Sequence, residues 1–429
     1  MSNDTTQNVG VARVKRPERS QVVWRAMELD RLLPSDHRAR IVWRFVEQQD
    51  LSALYSRIKS VEGGVGRDAV DPRILLALWL FATIDGVSSA REIDRLCERD
   101  LAYIWMCGEV SVNYHLISDF RTQHTKLLDQ ILTNSVAALL HQGLVTLDRV
   151  AQDGMRVRAH AGSSSFRRRP TLETCQQEAQ AHLQKLQQDQ QADPAASNKR
   201  KQAALERAAR ERDERLTQAL EELKELEQQK EMREKGSSAE ARASTTDPEA
   251  RKMKMGDGGY RPAYNVQFAT DAKTRMIVGV AVTNQGSDRG QMAPMVEDLH
   301  QRFGRRPSQY LVDCGFATKE DITRLEAGGT QVFAPVHAAD QMLARGVDPY
   351  TPKKRDTPEV KQWRARMGTD EAKQIYRERS SVAEFPNAEC RNRGLQQFLV
   401  RGPHKARAVS LWQALAFNLL RMINLGCLT

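Results

Sequence analysis

The stretch that most constrains this chain is Arg149 to Gly162, RVAQDGMRVRAHAG. Val150, Gln152 and Gly154 alternate with Ala151, Asp153 and Met155, the period of two that a β-strand requires. Asp153 then lies inside a strand, where an ionised carboxylate is costly unless it is paired or meets a cation. A second strand is read over Gln309 to Phe316 (QYLVDCGF), with Asp313 among apolar neighbours, and a later helix carries Glu384. A lone acid in an apolar strand is ordinarily a turn cap or half of an ion pair. Two such strands and an acid-bearing helix favour a shared site.

The length of 429 residues suggests two or three domains. With 65 Lys+Arg against 55 Asp+Glu the net charge is +10, a balance common in chains that meet nucleic acid, although a merely basic surface gives it too. The six cysteines show no short paired spacing, so neither a zinc knuckle nor a disulfide framework is expected, and reduced thiols of the cytoplasm fit best. The polar N-terminus carries no signal peptide. The most apolar run, Ile74 to Ile84, is far short of a membrane span, so no membrane partner is expected.

Residues 1 to about 25 read as a basic arm, and Leu29 to Ile58 as helical before a break at Gly63, Gly64 and Gly66. Asp71-Pro72 opens an apolar helix, Arg73 to Ile84. After the Asp85-Gly86-Val87 turn, Ser89 and Glu92 have capping-box spacing for a helix to about Glu98. That is the outline of a DNA-contacting helix-turn-helix, or of a plain helical hairpin. A third helix is read from Ser118 to His141. Thr171 to Gln191 and Ala195 to Lys235 form a charged antiparallel hairpin with a stripe of Leu216, Leu220, Leu223 and Leu226, either a solvated spacer or a dimer contact. Residues 236–256 read as a loop. Strands Tyr264 to Thr270 and Ile277 to Thr283 follow, then a helix from Arg289 to Phe303, the Asp313 strand, a helix from Lys319 to Ala327 and a short strand from Gln331 to Pro335. A polar segment runs from His337 to about Asp370, and helices around Ala383 to Arg393 and Ala406 to Ile423 close the chain.

A crossover helix before the Asp313 strand lets it lie parallel to the Asp153 strand. As neighbours, the two would bring Asp153 and Asp313 within a few ångströms, where carboxylates repel unless a cation or a proton intervenes. An all-oxygen site suits Mg²⁺ or Mn²⁺, and paired ions of this kind run phosphoryl transfer. Acid-free basic runs flank the acids: Arg156, Arg158 and Arg167 to Arg169 on one side, Arg391, Arg393, Arg401 and Lys405 on the other. A basic channel of this kind suits a phosphodiester. Pro386 is tolerated in a helix's first turn, which places Glu384 at or just before an N-terminus, where the dipole favours its ionised form. Glu378 and Glu389 compete for that role. Glu389, five residues on, lies about 140° around a helix from Glu384.

The segments VAQDGMRVRA, GGYRPAYNVQFATD, YLVDCGF and YRERSSVAEFPNAECRNRGLQQFLVRG resemble the DDE transposases of bacterial insertion sequences. The resemblance is closest to the branch with a Tyr-Arg-Glu-Lys signature, in the insertion-sequence-eleven-eighty-two group, and the stretch from about Leu29 to Arg121 resembles that group's helical N-terminal domain. It implies an α/β chain: a helical DNA-binding domain over 1–145, then an RNase H-like mixed-sheet catalytic domain over 146–429, interrupted by the helical insertion at about 170–245. It implies Asp153, Asp313 and Glu384 as catalytic metal ligands for two Mg²⁺ (or Mn²⁺) ions. Tyr376, Arg379 and Arg391 match signature positions that contact DNA, and Arg156, Arg158 and Arg393 are further candidates on the basic runs. Four residues separate Arg379 from Glu384 where the signature has three, and Arg391 stands where it has Lys. The implied activity is cleavage at the element's ends and joining of 3′-hydroxyls to target DNA, by a homodimer assembled on terminal repeats, in a bacterial cytoplasm and on the nucleoid when bound. A catalytically silent DNA-binding repressor, or a nuclease that does not join strands, would share much of this sequence.

Overall fold

The computed structural model describes Ser20, Ala26, Gly63 and residues 28–60, 67–192, 199–232 and 238–428. The basic N-terminal arm, apart from Ser20, and the breaks at Gly64 and Gly66 lie outside the described residues. Seven helices come first: α1 (Arg38–Glu47), α2 (Ser52–Tyr55), α3 (Pro72–Ile84), α4 (Ala90–Arg99), α5 (Leu101–Cys107), α6 (Tyr114–Gln123) and α7 (Thr125–His141). Strand β1 (Arg149–Arg158) follows, and β2 (Phe166–Arg167) pairs with β3 (Ala243–Ser244) around the long hairpin of α8 (Arg169–Ala192) and α9 (Lys199–Glu231). Then come β4 (Arg251–Lys254), β5 (Tyr260–Asp271), β6 (Ile277–Thr283), α10 (Met292–Phe303), β7 (Gln309–Leu311), α11 (Lys319–Ala327), β8 (Gln331–Phe333), α12 (Ala339–Ala344), α13 (Pro358–Met367), α14 (Asp370–Asn392) and α15 (Pro403–Asn424).

The six-stranded sheet is mixed. β5 is antiparallel to β1, and its far edge is shared by β4 and β6; on the other side β1, β7 and β8 run parallel. α10 covers one face, where a Cβ on Gly279 of β6 would strike Met295. α14 and α15 cover the other, and the Asn418 side chain of α15 clips both backbone groups of Ile277, at 2.8 Å and 2.7 Å.

The helical region is not a module set apart from this sheet. Every residue of α3 except Arg73 is buried, and α3 packs on α1, α5, α6 and α15. Trp79 of α3 lies 6.2 Å from the Trp412 ring of α15, so N-terminal helices and sheet share one apolar core. This corrects the helix-turn-helix outline, since α3 is core rather than docking surface. Ser89 does precede α4, but its side chain makes no cap bond, and Glu92 pairs with Arg95 instead.

The single helix expected over Ser118 to His141 is two. The indole N–H of Trp412 donates to the Arg121 carbonyl at 2.9 Å, taking the acceptor that a continuous helix would offer to Thr125. His124 accordingly leaves helical geometry. The 236–256 stretch, expected as a loop, contributes β3 and β4.

The α8–α9 hairpin is as expected, with bounds shifted by a few residues. It has its own small apolar core of Leu172, Ala179, Leu216, Ala219 and Leu223. Arg169 to Glu227 joins its two helices at the base, and Arg251 of β4 ties Glu222 of α9 to the body.

Because α15 completes the packing around α3, a fragment ending at residue 145 should expose a large apolar face. It is expected to lack a cooperative thermal transition, whereas the full chain unfolds with its N-terminal helices and sheet in one step, followed by far-ultraviolet circular dichroism. A sharp independent transition in the fragment would show that the helical region folds alone.

Candidate functional site

The parallel pairing of β1 with β7 builds the site. Val150 stands opposite Tyr310 and Ala151 opposite Leu311. The ladder ends there, two residues short of Asp153 and Asp313 on their respective chains. β1 continues, held by β5 across Asp153↔Phe268. β7 does not: the strand expected to run to Phe316 stops at Leu311, and Asp313 opens a turn in which its Oδ1 accepts from the Gly315 N–H at 2.7 Å. Asp313 is therefore 41% exposed rather than buried among apolar side chains.

Above the end of this ladder lies α14. Thr369 caps it, its hydroxyl accepting from the Ala372 N–H, and Asp370 and Glu371 occupy the first turn. The helix runs through Pro386, so Glu384 sits in mid-helix and not at an N-terminus. The dipole argument for its ionisation does not apply, and the proline costs the helix only the bond that would have reached the Val382 carbonyl.

What gathers the acids is Arg379. Its Nη2 lies 2.9 Å from Asp153 Oδ1 and 3.9 Å from Asp313 Oδ2, while Nη1 lies 3.2 Å from Glu384 Oε1. The guanidinium is 12% exposed and serves three carboxylates from three separate elements. Asn387, two turns beyond Arg379 and buried, donates to the other oxygen of Asp153 at 2.9 Å. Its own Oδ1 has no hydrogen-bond partner, and neither has Arg379 Nε.

The rival acids are engaged elsewhere: Glu378 pairs with Arg149 at 2.5 Å and Glu389 with Arg393 at 3.1 Å. As the side chains stand, no three His, Cys, Asp or Glu among the described residues are arranged to hold a metal ion. The donor chemistry nevertheless fits a hard divalent cation, with three carboxylates and an unpartnered buried amide oxygen around one positive charge. Arg379 occupies the position that such a cation would take.

Behind Asp153, on the opposite face of β1, lies a buried polar cluster that the sequence reading missed. Gln152 donates to Gln267 at 2.9 Å and accepts from the Tyr310 hydroxyl at 2.8 Å. Gln267 and Asn265 both donate to Asp288 Oδ1 at 2.7 Å, and Arg156 reaches Oδ2 at 2.8 Å. Gly154 is the floor of this cluster: a Cβ there would lie 2.1 Å from Asp288 Oδ1. The available signal was the pair of polar residues, Asn265 and Gln267, at alternate positions of an otherwise apolar strand.

The other singled-out residues divide into two groups. Arg158 and Arg391 are exposed, and Tyr376 is half-buried near Arg379 and Asp313, its hydroxyl pKa raised chiefly by burial. Arg156 and Arg393 are placed otherwise than expected. Arg156 is bound to Asp288 and the Gly286 carbonyl, and Arg393 donates to Glu389 and to the Ile84 carbonyl at the end of α3. Both guanidinium groups are tied into the fold.

Two family models match the chain. Residues 27–123 match a transposase domain (DUF772), and residues 236–419 match the transposase DDE domain. Both matched stretches are thus similar to transposase domains. Asp313, Arg379 and Glu384 fall within the second match, whereas β1 with Asp153 lies between the two. No curated protein and no solved structure matches the chain. No helix among the described residues is long and apolar enough to cross a membrane.

Burial pushes the Asp153 carboxyl up from its usual 3.8 to about 6; Arg379 pulls the other way, and Asp313 adds to the rise. Between those values the folded chain holds a proton that the unfolded chain has released, so stability falls as pH rises from about 4 to about 6 and is level above. Asp153→Asn lacks this dependence. The variant should therefore gain on the parent by up to about 3 kcal/mol across that window in chemical denaturation. A difference that is flat with pH would contradict the assignment.

Proposed function

We propose that this chain, a DUF772 transposase domain followed by a DDE domain, is the transposase of a bacterial insertion sequence. It cuts DNA at the element's ends and joins the 3′-hydroxyls to target DNA. The observation that carries the reading is the convergence of Asp153, Asp313 and Glu384 on one cationic position. Acids on the first strand of a mixed sheet, just past the short strand that runs parallel beside it and on a late helix have the placement expected of an RNase H-like core, which supports that reading of the fold.

Asp153, Asp313 and Glu384, with the unpartnered Asn387 oxygen, would hold Mg²⁺ or Mn²⁺, and such ions supply the Lewis-acid charge for displacement at phosphorus. The remaining work belongs to the chain. Asn387 fixes the orientation of Asp153. Arg379 keeps three like charges together in the absence of DNA, and its fork is suited to pair with a phosphate oxygen once other positive charge satisfies the acids. Arg158, Arg391 and Tyr376 contact the DNA backbone near the cut. Arg156 and Arg393 serve the scaffold, and the charged hairpin is the candidate contact in a homodimer on DNA.

The closed arrangement, in which no three such groups among the described residues are set to hold a metal, favours as second reading a DNA-binding repressor that has lost catalysis. End cleavage in Mg²⁺ on DNA bearing the sequences that bracket the coding region separates the two. Asp153→Asn, Asp313→Asn and Glu384→Gln should each lose roughly a thousandfold or more in cutting while still binding DNA. Glu378→Gln and Glu389→Gln should cut normally. A parent chain that binds but never cuts would favour the repressor, and normal cutting by all three acid variants would end the transposase mechanism.

A further inference from the structure

The break between α6 and α7 opens on a cavity of about 290 Å³, whose lining includes Arg57, Gln123, His124, Thr125, Lys126 and His404. No carboxylate lines it. Arg57, Lys126 and His404 are exposed and make no ion pair among the described residues. The first acid of α7, Asp129, is clamped by Arg302 at 2.9 Å and Arg407 at 3.1 Å, so it does not offset the positive charge at the mouth.

Two helices begin here. α7 starts without a side-chain cap, and the Arg121 carbonyl that could have satisfied its first N–H is taken by Trp412. α15 starts at Gly402, likewise without a side-chain cap, with His404 in its first turn. Their amide N–H groups and dipoles point positive charge outward. At the same place Thr125, only 4% exposed, has an Oγ1 with no hydrogen-bond partner. A buried hydroxyl without a partner at the cavity wall, first-turn amides, two exposed cationic side chains and two imidazoles together make an oxyanion site. Burial, reinforced by Arg57, lowers the His124 pKa and keeps the ring neutral, able to donate one hydrogen bond without adding charge repulsion against Arg57.

We propose that the Arg57–His124–Thr125–Lys126–His404 pocket binds a backbone phosphate of duplex DNA, anchoring the helical region outside the three-acid site. The proposal rests on the transposase reading and adds to it a named contact. The contact is one of position and not of base identity, because phosphate carries no sequence information.

The test uses the full chain in EDTA and fluorescence anisotropy of a labelled duplex over a range of salt. Arg57→Gln/Lys126→Gln should weaken binding about tenfold or more and lower the salt slope by about one, alike on element-end and unrelated duplexes. Lys354→Gln/Arg355→Gln removes the same charge from an exposed stretch away from the pocket and should change binding far less. Thr125→Val, which removes only the hydroxyl, should weaken binding with the slope unchanged. Unaltered melting temperatures verify folding. If the parent binds duplex and the pocket pair binds as tightly with the same slope, or no worse than the control pair, the pocket is not a phosphate site although the transposase reading stands. If the parent binds no duplex at all, both fall.

Discussion

Three carboxylates meeting at the Arg379 guanidinium are the constraint on which the rest of this structure depends. Like charges at that spacing repel by several kcal/mol at the effective dielectric of a partly buried site, and the repulsion would splay strand, turn and helix apart. One planar cation with two forked nitrogens answers Asp153 on one arm and Glu384 on the other. Arg379 lies on α14, so the same ion pairs that neutralise the acids also set that helix on the sheet. A lysine would bring the charge but not the fork.

The scaffold holds Asp153 from behind. Its neighbours Gln152 and Gly154 face the Asp288 cluster, where six polar side chains are linked by hydrogen bonds. A cluster of this kind fixes register, because a one-residue slip of β1 would turn Asp153 into the interior and strand its partners. Further out, α15 joins the sheet to α3, and Arg393 joins the end of α14 to the end of α3. The helical region and the acid site are thus mechanically one body.

Much of this was legible in the sequence. The strand alternation around Asp153, the helix over Lys319–Ala327 and the α8–α9 hairpin follow from period and composition, and the parallel partnership of β1 and β7 follows from the crossover rule. What was not legible lay in tertiary choices. Pro386 signals a helix start in isolation, yet the cap at Thr369 and packing on β1 and β5 carry α14 straight through it. Asp313 reads as buried because Val312 and Phe316 flank it, but the turn that Gly315 permits lifts it to the surface. No local signal told that Trp412 would take the Arg121 carbonyl and split one helix into two. Arg379 was singled out by its match to a signature and placed on DNA; its contact with all three acids depends on a helix crossing that no spacing encodes.

The most direct test of the central claim, that Arg379 holds the place of a cation among these acids, is a Mn²⁺ titration followed by electron paramagnetic resonance. Three proteins suffice: the parent, Arg379→Gln and Arg379→Gln/Asp153→Asn. Removing the guanidinium should tighten Mn²⁺ binding by about tenfold or more, equivalent to about 1.4 kcal/mol, and removing Asp153 as well should abolish that gain. Equal affinity in the parent and Arg379→Gln, or a gain that survives the loss of Asp153, would contradict the account.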